Sequence, residues 1–503
     1  MTSFADAIEA VRDDLAQRRA VPRLFEGDHT LWRDDPTELA DRLGWIPVIE
    51  EVGADLPHLQ ERCDALVDDI DDVIVMGMGG SSLFPEVLAR TLEPRAGHPR
   101  LHVLDTTDPS AIERLAATCP PARTLHVASS KSGSTIETRS HLEWAWARAA
   151  GEGRFAVITD PGSELGALAR QRGFAEVFEN RADIGGRYSA LSLFGIVPAL
   201  LMGADAAGLL DGGRTALADS GPEHPDPAAN PALRLAIAIA AGVHSGRDKL
   251  TLHLHPDVAT LGLWVEQLVA ESLGKDGTGA VPVVGEPTGP PEVYGDDRLF
   301  LVPEPAPELE AAGHPVLVVP SAPTPFAIGH LVVTMELATA LAGAALGVQP
   351  FDQPDVAAAK AATNRVLEDG DPGIVPVPLE ELLEQVRPGD HLALQVFGDP
   401  GGHEAHLVEA ARVALRDRLR VAVTLGWGPR FLHSTGQLHK GGPDAIVCVQ
   451  AVGEAAVDIP IPGRDLGFEQ LLRAQADGDL LTLRERGIRA GRVELRDLLA
   501  LAP

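Results

Sequence analysis

Two Gly/Ser turns carry the first chemical signal in this 503-residue chain. GMGGSS at 77–82 follows the apolar run VIVM, and SSKSGSTIET at 129–138 follows TLHVA; each precedes helical spacing. Backbone N–H groups at a helix start, together with clustered hydroxyls, form an anion cradle. The first turn offers Gly80 and Ser81, and the second sets Ser130, Ser132, Ser134 and Thr135 around Lys131. Hydroxyls with one cation suit a terminal phosphate monoester. The first turn is not a dinucleotide loop, because Ser82 stands where G-x-G-x-x-G needs its third Gly, and no G-K-[ST] makes it a Walker loop.

The elements that position these turns repeat one grammar: a β-branched run, a Gly/Ser turn, a helix. VIVMGMGGSS (73–82), LHVLDTTDPSAIERL (101–115), the 124–149 segment and FAVITDPGSELGALARQ (155–171) are its four instances. Buried strands alternating with amphipathic helices predict a parallel sheet with helices on both faces, and ligands at the strand C-terminal ends. Helical spacing covers 1–55 and, around a Pro/Asp-rich loop at 221–231, about 189–245. A second unit follows: a strand at 250–256, a helix at 261–274, a strand at 315–320 and a long apolar helix at 329–347. After a Pro-rich linker at 369–382, the tail repeats strand, helix, strand.

Composition bounds the partners. The formal charge is −31, which argues against nucleic acid and anionic membrane surfaces. No stretch of about 18 uninterrupted apolar residues predicts a membrane span, and the N-terminus lacks signal-peptide character; a cytoplasmic protein is expected. Cys63, Cys119 and Cys448 are too scattered for a disulfide framework or a zinc site. Of 42 basic residues only five are lysines, and four of them lie in short Gly-, Ser- or Gln-containing segments: Lys131 in 129–138, Lys275 in 265–279, Lys360 in 350–360 and Lys440 in 429–442.

Four segments in order resemble the glucose-6-phosphate isomerases, a family built on sugar-isomerase (SIS) domains. GMGGSSLFP (77–85) and SKSGSTIET (130–138) resemble its first Gly/Ser loop and its phosphate loop. DIGGRYSALS (183–192) resembles its first signature, and PFDQPDVAAAK (350–360) its second. The resemblance is greatest to the isomerase half of transaldolase–isomerase fusions. It implies an α/β fold of two SIS-type α-β-α sandwiches with parallel sheets, plus a smaller C-terminal α/β region. The expected divisions are 1–55 (helical), 56–205, 206–370 and 371–503.

The resemblance implies roles as well. VEQLVAESLGKDGTG (265–279) resembles the segment whose Glu moves the proton, which assigns the base to Glu271, with Gln267 on the same helical face. Interconverting an aldose and a ketose needs one base to carry a proton between C2 and C1, and a carboxylate in a partly dry site suits that task. Arg187 would stabilise the enediolate. Lys360 and Gln353 occupy the second-signature positions for an active-site Lys and a sugar-contacting Gln, on one face if 353–360 is helical. Asp355 and Ala357 depart from the family pattern, which usually has Gly and Glu there.

A ring-opening histidine is also implied. PRFLHSTGQLHKGG (429–442) offers His433, with His439 as the alternative. In the family this His comes from the other subunit of a dimer; here the C-terminal region either delivers His433 to a partner or folds it back. A homodimer acting on a small phosphosugar, with no metal and no cofactor, is the expectation. A sugar-phosphate sensor on the same domains, or an isomerase of another phosphosugar, remain alternatives.

Overall fold

The computed structural model describes residues 2–455 and 457–502; the side chains of Val356, Ala357 and Ala359 lie outside the described residues. Among the described residues there are three sheets, all of parallel strands. The first has the order β2-β1-β3-β4-β5: β1 (Asp72–Met76), β2 (Arg100–Leu104), β3 (Thr124–Ser129), β4 (Arg154–Thr159) and β5 (Glu176–Glu179). Every residue of β1 and β3 is buried, as expected where helices cover both faces and the strands read as apolar runs without alternation. Met76 pairs with Leu104 on one side and Ala128 on the other. The segments that follow β1, β2 and β3 therefore leave the sheet along one edge.

The second sheet runs β7-β6-β8-β9, from β6 (Lys249–Leu252), β7 (Val281–Val283), β8 (Arg298–Val302) and β9 (Val316–Val318). The third runs β11-β10-β12-β13, from β10 (His391–Phe397), β11 (Ala422–Gly428), β12 (Ile446–Val452) and β13 (Arg489–Val493). This is the predicted fold class. The largest core joins the first two sheets through the 22-residue helix Pro325–Leu346, which packs on Ala206–Asp219 and Pro231–Ser245. That helix is long and apolar enough to cross a membrane, but 83% of its apolar window is buried inside the protein. All three cysteines are buried and unpaired with one another.

Local structure departs from expectation at several points. The helix Val48–Val67 runs unbroken past residue 55. The structure adds strands β5, β7, β8, β12 and β13, which the expected strands do not include. The second-signature segment is helical only from Val356. Gln353 therefore precedes the helix that carries Lys360, and the shared helical face expected for that pair does not form.

Candidate active site

The phosphate-loop residues surround a helix start left open. The helix Ile136–Ala149 has Thr135 as N-cap, and the Thr135 side chain makes no capping bond to its first turn. Ser130 Oγ lies 3.2 Å from Thr135 Oγ1, and the Ser132 and Ser134 hydroxyls are 3.0 Å apart. The Gly133 N–H donates to Ser130 Oγ and fixes the turn. Beside it is a cavity of about 350 Å³ lined by Ser134, Thr135, Lys360, His433, Arg464 and Gln475, among others. Lys131 is turned elsewhere. Its Nζ lies 2.6 Å from Asp160 Oδ2 and donates to the Ala182 carbonyl, and it is not among the groups lining this cavity. Lys360 and Arg464 are the cations there; Arg464 sits in a segment with no motif to mark it.

The proposed proton-transfer residues form a buried cluster. On the helix Leu261–Leu273, Gln267 and Glu271 are one turn apart, and Gln267 Nε2 donates to Glu271 Oε2 at 3.1 Å. Arg187, on the short 3₁₀ turn Gly186–Tyr188, brings Nη1 to 3.4 Å from the same oxygen. Arg187 is itself fixed by donation to Ser272 Oγ (2.9 Å) and to the Pro350 and Asp352 carbonyls (2.6 and 2.8 Å). Burial pushes the Glu271 carboxyl above its ordinary range, against the pull of Arg187, His433 and Lys275. Burial, with the Arg187 charge beside it, also brings the Lys275 ammonium down to about 7, although Asp352 Oδ1 lies 2.5 Å away.

His433 stands between the two groups. Its Nε2 lies 2.9 Å from Glu137 Oε1, while its backbone carbonyl accepts from Gln267 Nε2 at 2.8 Å. Burial favours a protonated Glu137, but the charge and hydrogen bond of His433 outweigh it and hold that carboxyl well below the usual range. Gln475 Nε2 donates to the same Glu137 oxygen at 2.6 Å. The first Gly/Ser loop fits only because it has no side chains at two points. Gly79 has φ +56°, and a Cβ there would lie 2.9 Å from the His433 carbonyl; a Cβ on Gly80 would strike the Gly186 carbonyl. Ser81 is buried in the same loop. His433 thus reaches the site within its own chain.

Other predicted residues fall outside this cluster. Gln353 is exposed and does not line the cavity. His439 is buried 3.0 Å from Gln395 Nε2, and burial holds its imidazole far below its ordinary pKa. His433 and His439 face different partners, Glu137 and Gln395. Asp355 is gripped by Gln437, whose Nε2 lies 2.5 Å from Oδ2, and by Arg486 at 2.6 Å; the Ala357 side chain lies outside the described residues. Glu137, Gln475 and Arg464 escaped the sequence reading. Glu137 lies inside SKSGSTIET, two residues after the N-cap Thr135, and that position was its available signal. Among the described residues one group of potential metal ligands comes together, Asp72, His102 and Cys119; Asp72 in it is already held by Arg100 at 2.9 and 3.0 Å and by His102 at 2.7 Å.

Residues 44–296 match the family profile described as phosphoglucose isomerase. The glucose-6-phosphate isomerase of Rubrobacter xylanophilus is 31% identical over 388 residues, covering 61% of this chain and 87% of that protein. The glucose-6-phosphate isomerase of a Cyanothece species is 36% identical over 214 residues, 41% of this chain and 40% of its own length. Among solved structures, a hypothetical protein from Thermus thermophilus aligns with a TM-score of 0.58 at 28% identity, covering 71% of this chain and 97% of that one. A glucose-6-phosphate isomerase from Chlamydia trachomatis shares the fold at a TM-score of 0.57 and 19% identity, covering 73% and 87%.

Proposed function

The chain belongs to the phosphoglucose isomerase family, and from that premise we propose that it interconverts D-glucose 6-phosphate and D-fructose 6-phosphate through a cis-enediolate. The phosphate binds at the open start of the helix Ile136–Ala149, against Ser134, Thr135, Lys360 and Arg464. His433, oriented by Glu137, exchanges a proton with the ring oxygen and the C1 hydroxyl and opens the ring. Glu271 then takes the proton from C2 and returns it to C1, and Arg187 faces the negative charge that develops on the enediolate oxygens. A fixed guanidinium aimed at such charge is worth on the order of 3 kcal/mol.

The observation that carries this reading is the Gln267 amide. It bonds both the Glu271 carboxylate and the His433 backbone, so the base and the ring-opening group are held in one geometry. A binding-only sensor would have no use for a buried carboxylate raised toward working pH beside a guanidinium. Ser130 and Ser132 shape the phosphate turn, and Gly80 and Ser81 form the wall between it and Arg187. Lys131 supports that turn through Asp160, and Gln353 contacts the sugar only if its loop closes over the substrate. Two groups of expectations complete the reading: a homodimer, a place in hexose phosphate metabolism and no metal or cofactor follow from the family resemblance, while a cytoplasmic location and no nucleic-acid or membrane partner follow from the charge of −31 and the sequence pattern. The test is incubation of purified protein with glucose 6-phosphate, without added metal or nucleotide, followed by NMR. Fructose 6-phosphate should form, and in D2O deuterium should enter at C2 of glucose 6-phosphate and at C1 of fructose 6-phosphate. Folded protein that gives neither product nor exchange overturns the proposal.

A further inference from the structure

His433 is carried on the 3₁₀ turn Arg430–His433, and the other end of that turn is bound to a different strand. Arg430 Nη2 donates to Asp105 Oδ1 at 2.7 Å and lies 3.8 Å from Glu86 Oε1. Asp105 directly follows β2, and its other oxygen accepts from Ser82 Oγ at 3.2 Å, in the first Gly/Ser loop. Ser82 Oγ also lies within bonding reach of the Gly79 carbonyl at 3.2 Å, and Gly79 is the residue packed against His433. β2 and β3 flank β1 in the first sheet. Arg430 therefore fastens the turn beyond one neighbour of β1, while His433 meets Glu137 beyond the other. Neighbouring strands are about 4.8 Å apart, and a 3₁₀ turn rises about 2 Å per residue. A turn from Arg430 to His433, extended by its two side chains, matches the two-strand span.

We propose that Arg430 is a positioning residue for ring opening. Its ion pair with Asp105 sets the His433 turn along the carboxyl edge of the first sheet, so that the imidazole meets both Glu137 and the sugar. This rests on the isomerase reading and gives Arg430 a place in it. Without the pair, the turn keeps its link to Gln267 but loses the anchor that fixes its direction. A misplacement of about 1 Å at a reacting group costs on the order of 100-fold in rate. Arg430, Asp105 and Glu86 also line an open cleft of about 340 Å³, large enough to admit a free guanidinium ion.

The test compares wild type with Arg430→Ala, Arg430→Lys and Asp105→Asn. Exchange between the α and β anomers of glucose 6-phosphate, followed by NMR magnetisation transfer, reports ring opening alone. Affinity for glucitol 6-phosphate, which has no ring to open, reports the phosphate site. Arg430→Ala should slow catalysed anomer exchange by about 10- to 100-fold and leave glucitol 6-phosphate affinity unchanged. Millimolar guanidinium should restore part of the lost rate, and Arg430→Lys should fall between. If Arg430→Ala fails to fold, Asp105→Asn carries the test with the same selective loss. Anomer exchange at the wild-type rate in the folded variant overturns the role of Arg430. So does a loss matched by an equal loss of glucitol 6-phosphate affinity and not restored by guanidinium. A wild-type protein that neither isomerises nor exchanges anomers overturns the isomerase reading itself, and the role of Arg430 with it.

Discussion

His433 Nε2 lies 2.9 Å from Glu137 Oε1, although 296 residues separate them in the chain. A fixed carboxylate behind one ring nitrogen sets which nitrogen faces the substrate. Glu137→Gln keeps the shape and removes the charge, so turnover of the cyclic sugar should fall by roughly 100-fold with little change in KM. The same pair has a stability signature. A carboxyl whose folded pKa is depressed contributes stability above its ordinary pKa and loses it as pH falls through the folded value. Thermal unfolding of wild type and Glu137→Gln should therefore draw together as pH is lowered from about 5 towards the folded value of about 2. A gap that stays constant across that range removes the coupling.

Glu271→Gln should leave the buried cluster assembled, since an amide still accepts from Gln267 and faces Arg187. It cannot accept the C2 proton. Solvent exchange at C2 should drop by about 1000-fold or more, while anomer exchange and phosphate affinity persist. That split separates the base from the ring opener. C2 exchange at the wild-type rate would remove Glu271 from its role.

Much of this was legible in the sequence because the chemistry sits on short local patterns. The turns after β1 and β3 announced themselves as Gly/Ser clusters between a buried strand and a helix, and Gln267 with Glu271 followed from helical spacing. What escaped depends on contacts distant in sequence. Nothing in SKSGSTIET says that Glu137 turns inward to meet a histidine and a glutamine from beyond residue 430. Nothing near Lys131 says that Asp160, 29 residues on, takes its ammonium. The Lys360–Gln353 spacing implied a shared face only under a continuous helix, and that helix begins after Pro354. Asp355, which broke the family pattern, is bonded by Gln437 and Arg486 of the C-terminal region. The departure thus coincides with a contact that sequence alone does not display.

In the proposed reading, Lys360 and the start of the helix Ile136–Ala149, which line one cavity, would divide phosphate recognition between a cation on a long side chain and fixed backbone dipoles. Hydrogen bonds to charged groups are worth roughly 1.5–3 kcal/mol. Lys360→Ala should therefore raise KM for glucose 6-phosphate by about 10- to 100-fold and weaken inhibition by inorganic phosphate in parallel. Raising the salt concentration should shrink the difference between wild type and variant. An unchanged KM would take Lys360 out of the phosphate site.

Glu336 is a buried acid outside the proposed chemistry. It lies in the middle of the core helix Pro325–Leu346, with Oε1 unpartnered, and burial raises its carboxyl well above the ordinary 4.5. For a group with a raised folded pKa, stability is fully present below the unfolded value and declines as pH rises through the folded one. Over that window one such group costs about 1.4 kcal/mol per pH unit. Glu336→Gln should flatten the decline, so denaturant unfolding at pH 5 and pH 8 should show the variant gaining on wild type at the higher pH. Parallel pH profiles would mean that Glu336 ionises freely in the folded protein.

The path of the C-terminal region makes a prediction about assembly. His433 reaches Glu137 and Gln267 within one chain, and Gln475 and Arg430 arrive from the same region. Each protomer therefore carries a whole set of groups, whether or not it pairs with a second copy. Glu271→Gln and His433→Ala variants, each inactive, should stay inactive when mixed, unfolded together and refolded. If the histidine came from a partner, mixed dimers would contain one intact site and a substantial fraction of activity would return. For the same reason, specific activity should hold constant as the enzyme is diluted through any dimer dissociation seen by light scattering. Recovery of activity on mixing, or its loss on dilution, would show that the His433 turn is exchanged between chains in solution.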